Sequence, residues 1–152
     1  MTTPQRPILL NSCARAATAE EPRFRIARPI GGRAALVLAL DDEAADVVDR
    51  VAEKPWRGAR FFHAGDVPFS QLEAELADAD VAIMIATADA DGEVAAALAR
   101  ACAERGIMTA GLILGEQLEV AGAVSALRPY ARNLMVTSDE DDVAEVLTAL
   151  RA

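Results

Sequence analysis

Aromatic residues are scarce in this sequence: four Phe, one Tyr and one Trp, 4% of 152 positions. Hydrophobic residues nevertheless make up 53% of the chain, much of it alanine. The core must therefore be aliphatic, and alanine favours helices lying close against a sheet. Histidine occurs once, as His63, which excludes a multi-histidine metal site within one chain. The two cysteines, Cys13 and Cys102, have no metal-ligand spacing and form no dense disulfide framework. Cys102 falls on the apolar face of an expected helix, where a thiol is buried and inert. No apolar run approaches the roughly 20 residues that cross a bilayer. The piece "PILL" near the start is too short for a signal-peptide core, so a cytoplasmic protein is expected.

The abundant charge is acidic and unevenly spread. Net charge is −9. Residues 1–33 hold six arginines (Arg6, Arg15, Arg23, Arg25, Arg28 and Arg33) against Glu20 and Glu21, a balance of +4. The remainder holds nine basic and 22 acidic residues, a balance of −13. The basic segment reads as an arm that lies on its own acidic body or on another subunit, or else as a solvated tail. A homo-oligomer formed through this arm is an expected partner arrangement. The acidic body would repel a duplex backbone, so nucleic acid is not an expected partner, and neither is a membrane.

From residue 34 onward apolar runs alternate with helical periodicity. Strands are expected at Ala34–Leu40, Ala59–Gly65, Val81–Thr87, Ile107–Leu114 and Asn133–Ser138. Between and after them, helices are expected at Glu43–Lys54, after a Ser70/Glu73 capping box, at Glu93–Arg105, at Glu116–Arg128 with Leu118 buried, and over the last 14 residues. Gly106 stands where a helix C-terminus favours positive φ. Continuous apolar strands joined by helical crossovers specify a parallel sheet covered on both faces. The expected fold is α/β: a three-layer, doubly wound, five-stranded domain over residues 34–152, Rossmann-like or flavodoxin-like in strand order. Arg23–Ile30 reads as an added edge strand, consistent with Pro29.

Ligands of such sheets bind beyond the carboxyl ends of the strands. Twelve acids are expected there: Asp41, Asp42, Glu43, Asp66, Asp89, Asp91, Glu93, Glu116 and the run Asp139–Asp142. Each loop also opens a helix, and helix N-termini favour Asp and Glu, so capping alone accounts for Asp42, Asp91, Glu116 and Asp139. The chemical reading is a hard-oxygen cation site, with Asp41, Asp42 and Asp89 as ligands and Mg²⁺ as the candidate metal. Thr87, Asp89, Asp91, Gly92, Thr137 and Ser138 are then the candidate contacts to a nucleotide or phosphorylated small molecule. His63 reads as a partly buried strand-end histidine or a general base. Trp56 reads as a cap over a helix end.

The run "LADADVAIMIATADADGEVAAALARACAERGIMTAGLIL" (Leu76–Leu114), with "AVSALRPYARNLMVTSDED" (Ala123–Asp141), resembles the second half of the tubulin/FtsZ GTPase domain. The likeness lies in an Ala-Asp before a buried strand, a loop, a long Ala-rich helix and a turn into the next strand. It implies a Rossmann-type architecture. That family binds phosphates with a loop of five glycines, and the matching stretch here, Ala88–Glu93, holds only Gly92. The first strand likewise runs into "ALDDEAAD" rather than into glycines. Acids at both places oppose a polyphosphate, so the resemblance supports the architecture and counts against GTP hydrolysis. Sugar-isomerase domains are similar in the same loop, with hydroxyls where "TADADGE" has carboxylates. The leading expectation is a small domain that works by binding, through its acidic strand-end loops. The alternative is Mg-dependent binding or turnover of a phosphorylated ligand.

Overall fold

The structure is a computed structural model and describes residues 33–152. The basic arm, its expected edge strand and Cys13 lie outside the described residues. The described elements alternate without exception: β1 (Ala35–Ala39), α1 (Asp42–Ala52), β2 (Ala59–His63), α2 (Phe69–Leu76), β3 (Val81–Ala86), α3 (Gly92–Glu104), β4 (Met108–Leu114), α4 (Ala121–Leu127), β5 (Asn133–Thr137) and α5 (Asp141–Ala149). All four strand pairings are parallel, in the order β2-β1-β3-β4-β5. This is the flavodoxin-like order, and the chain reverses direction between β1 and β3.

Two apolar layers hold the sheet, and strand alternation sorts the residues between them. Leu36, Leu38, Met84 and Ile113 face α2, α3 and α4, meeting Leu72, Leu98, Ala99 and Leu127. Val37, Ile83, Ile85 and Leu112 face α1 and α5, meeting Val47, Val48, Val143 and Leu147. The division follows from right-handed crossovers: the leftward connection through α1 lies on one face, and the rightward ones through α2, α3 and α4 on the other. β1 and β3 are buried along their whole length, whereas the edge strands β2 and β5 are half-buried. Among the described residues no helix is long and apolar enough to cross a membrane.

Helix ends carry the main departures from the sequence pattern. The Ser70/Glu73 capping box does not form. α2 starts at Phe69 with Pro68 at its N-cap and no side-chain cap, so Ser70 is already inside the helix and Glu73 pairs with Arg105 at 3.1 Å. α4 is shorter than its apolar pattern. Residues 116–120 form a separate turn, with Glu119 and Val120 donating to the Glu116 carbonyl. Leu118 points out of that turn and is 94% exposed, while Val120 takes the buried place. The C-terminus of α3 follows expectation. Gly106 has φ +70°, and the Ile107 N–H returns to the Cys102 carbonyl at 3.0 Å.

Candidate functional site

The switch point between β1 and β3 is where this fold leaves room for a ligand, because α1 and α3 diverge onto opposite faces. Here the gap is bridged by the protein's own carboxylate. Asp41 is the N-cap of α1 and accepts from the Ala44 N–H at 2.8 Å. The same carboxylate accepts from the Thr87 N–H at 2.7 Å and the Thr87 hydroxyl at 2.8 Å. Thr87 is 5% exposed, so its donors need a partner, and Asp41 supplies it. The Ala44 and Thr87 N–H groups are thus committed within the chain rather than left for a bound anion.

The other strand-end acids divide between caps and solvent. Asp91 caps α3, accepting from Glu93 N–H at 2.8 Å and Val94 N–H at 3.4 Å. Gly92 is the first residue of that helix. Asp139 accepts from Asp141 N–H at 2.9 Å. Asp42 is not a cap: it lies in the first turn of α1 and is exposed, and the capping role belongs to Asp41. Glu116 makes no side-chain cap either, since α4 opens at Val120 without one. Thr137 donates its hydroxyl to Asp142 and accepts from Asp139 N–H at 3.1 Å. Asp89 is exposed, and its N–H approaches the Thr87 hydroxyl at 3.4 Å. Asp41, Asp42 and Asp89 are not brought together as a ligand set. Among the described residues no group of three or more His, Cys, Asp or Glu is placed to hold a metal ion.

Two of the sequence-derived candidates, Thr87 and Ser138, do converge. They line a crevice of about 300 Å³ beyond β3, β4 and β5, together with Leu114, Glu43, Asp46, Val47, Arg50 and Glu140. Arg50 forks onto Glu140, with Nη2 to Oε1 at 2.8 Å and Nε to Oε2 at 3.2 Å. Both side chains are 55% exposed, so the pair adds little stability, about 0–1 kcal/mol. It does join α1 to α5 across the crevice mouth. Asp46, Arg50 and the Arg50–Glu140 pair were invisible to motif reasoning. Asp46 and Arg50 lie one and two turns inside α1, and the pair closes over 90 residues of sequence.

His63 ends β2, as expected, and sits between two carboxylates. Its Nε2 is 2.9 Å from Asp49 and its Nδ1 is 3.1 Å from Asp66. Partial burial disfavours the imidazolium, but hydrogen bonds and charge from Asp49 and Asp66 outweigh it and raise the pKa above the ordinary 6.5. The imidazolium can donate from both nitrogens at once, so the two carboxylates favour the protonated ring. A raised folded-state pKa gives stability that is complete below the unfolded value and is lost as pH rises through the folded one. The melting temperature of the native chain should therefore fall as pH rises above the ordinary histidine value of 6.5, and this decline should vanish in His63→Gln. His63 is the sole histidine, so its proton resonances give the pKa directly; a titration midpoint at or below 6.5 would contradict the bridge. Trp56 donates its indole N–H to the Val51 carbonyl at 2.8 Å, capping the end of α1. Cys102 is buried, and burial pushes its thiol up to about 11, which makes it inert.

The fold and strand-end geometry define a flavodoxin-like α/β protein whose switch point is closed by Asp41. No protein-family model matches the chain, and no curated protein matches it.

Proposed function

We propose that this chain works by binding rather than catalysis. The strand-end crevice takes a cationic side chain, arginine or lysine, presented by a basic protein partner or by the arginine-rich residues 1–33. The charge of the crevice wall carries this reading: Glu43, Asp46 and Glu140 stand against Arg50 alone. Glu43 and Asp46 have no ion-pair partner among the described residues. A half-enclosed pocket with surplus negative charge concentrates cations, and a guanidinium is the best geometric match to paired carboxylates. The commitment of Thr87, Asp41, Asp91 and Thr137 to internal bonds supports this over a phosphate site.

A labelled peptide of residues 1–33 tests the reading by fluorescence anisotropy, titrated with a chain lacking residues 1–30. Binding should weaken with added salt, as screening shortens to about 8 Å at physiological ionic strength. Glu43→Gln with Asp46→Asn should weaken it at least roughly tenfold, about 1.4 kcal/mol. Equal binding by this double variant removes the crevice from consideration, and no binding at low salt removes residues 1–33 as its ligand. A rise in melting temperature with Mg²⁺ and nucleotide together, abolished by Asp89→Asn, would favour the phosphate reading instead.

A further inference from the structure

We infer that the β5 edge of the sheet is a self-association surface on which a second copy of this chain adds its own β5, antiparallel. The sheet has two edges and they are differently built. β2 carries Arg60 and His63, engaged with Glu75, Asp49 and Asp66, the kind of charged edge that discourages strand addition. β5 reads Asn-Leu-Met-Val-Thr, with no charge, proline or glycine. Its only strand neighbour among the described residues is β4, so its outer N–H and C=O groups have no partner strand there.

Two clefts flank this edge, one mainly apolar and one mainly polar. One of about 460 Å³ is lined by Leu112, Met135, Val146 and Leu150. The other, about 410 Å³, is lined by Val124, Leu134 and Val136 beside Arg128 and Arg132. A strand laid along β5 would place alternate side chains over each cleft.

Charge selects the occupant and its direction. Arg132 immediately precedes β5, and Asp139, Glu140, Asp141 and Asp142 follow it closely. The edge is thus basic at one end and acidic at the other. Only an antiparallel copy matches basic to acidic at both ends, and a two-fold axis through the Met135 pair does so reciprocally. That register sets Asn133 opposite Thr137 and carries Arg132 to Ser138 and Asp139 of the second copy. Arg132 and Asp139 have no ion-pair partner among the described residues, and the bond that Asp139 accepts from the Asp141 N–H falls on Oδ1, which leaves Oδ2 to face a guanidinium.

Sedimentation velocity of the full chain over a concentration series tests this. The native chain should pass from monomer to dimer as concentration rises. Arg132→Asp and Asp139→Arg should each weaken the dimer at least tenfold, and the two together should restore it. Met135→Lys should abolish it, with the circular dichroism and melting point of the monomer confirming that it folds. A chain that stays monomeric throughout overturns the inference. So does a dimer indifferent to these changes but lost on deleting residues 1–30, which would assign association to the basic segment. Crevice variants Glu43→Gln and Asp46→Asn should leave the dimer intact, so this test and that of the cationic ligand fail separately.

Discussion

Asp41→Ala should cost the fold about 3 kcal/mol, read as a lowered denaturant midpoint with an unchanged slope. The substitution removes a helix cap, worth about 1 kcal/mol, and two further charge-assisted bonds to Thr87. It also strands the Thr87 N–H and hydroxyl at a position 5% exposed to solvent. Asp41→Asn separates the contributions. Its amide oxygen still serves the Ala44 N–H and the Thr87 hydroxyl, but its NH₂ faces the Thr87 N–H, donor against donor, so an intermediate loss is expected. Thr87→Val keeps the backbone bond and loses only the hydroxyl, for about 1 kcal/mol. Because residues 41 and 87 touch, the double variant should cost less than the sum of the singles. Losses below about 1 kcal/mol for Asp41→Ala would mean that β1 and β3 are not tied in solution as described.

That tie shows where sequence reasoning stops. The strands were legible because β1 and β3 are buried on both faces and read as unbroken apolar runs. The helices of α1 and α5 were legible because Val47, Val48 and Val51, or Val143 and Leu147, recur at helical spacing. Leu118 obeyed the same spacing and misled, since periodicity cannot tell one continuous helix from a turn followed by a helix. Caps were legible only as a residue type near a boundary. Thus Asp91 was placed correctly, whereas Asp42 was favoured over Asp41 by one position. The role of Asp41 depends on strand register: Leu40 N–H bonds to the Ile85 carbonyl, which sets residue 41 beside residue 87. No local pattern encodes a pairing across 46 residues.

The crevice has the same character. Thr87 and Ser138 stood out because they end strands, and any parallel sheet brings strand ends to one side. Glu43, Asp46 and Arg50 line it because α1 leans over that edge, a tertiary fact. Apart from the acids paired with Arg50, Arg60, His63 and Arg105, the surplus of acid visible in the composition holds two contrasting groups. Asp41, Asp91, Asp139 and Asp142 accept hydrogen bonds that close loops and helix ends. Glu43, Asp46, Asp42 and Asp89 remain turned to solvent or to the crevice, and those set the field that a cationic partner meets.

Gly111→Val should be at least as damaging as loss of Asp41, about 3 kcal/mol, for the opposite reason: too many atoms rather than too few bonds. Gly111 lies mid-way along β4, paired with Met84 and Leu134. A Cβ there would stand 2.5 Å from Leu134 Cδ1 and 3.3 Å from Leu127 Cδ1. Glycine inside a strand normally weakens it, so its presence here reflects how closely those leucines approach the backbone of β4. Leu134 is half-buried and borders the open clefts at the β5 edge, so its end has somewhere to turn. Gly111→Ala should therefore cost only about 1–2 kcal/mol, whereas valine adds branches that press on fully buried Leu127. The decisive comparison places Gly111→Ala in a Leu134→Ala background. The space vacated by the leucine accepts the new methyl, and the alanine at 111 should become neutral or stabilising there, since a strand gains from losing a glycine. An equal cost in both backgrounds would show that the Leu134 contact is not what reserves this position for glycine.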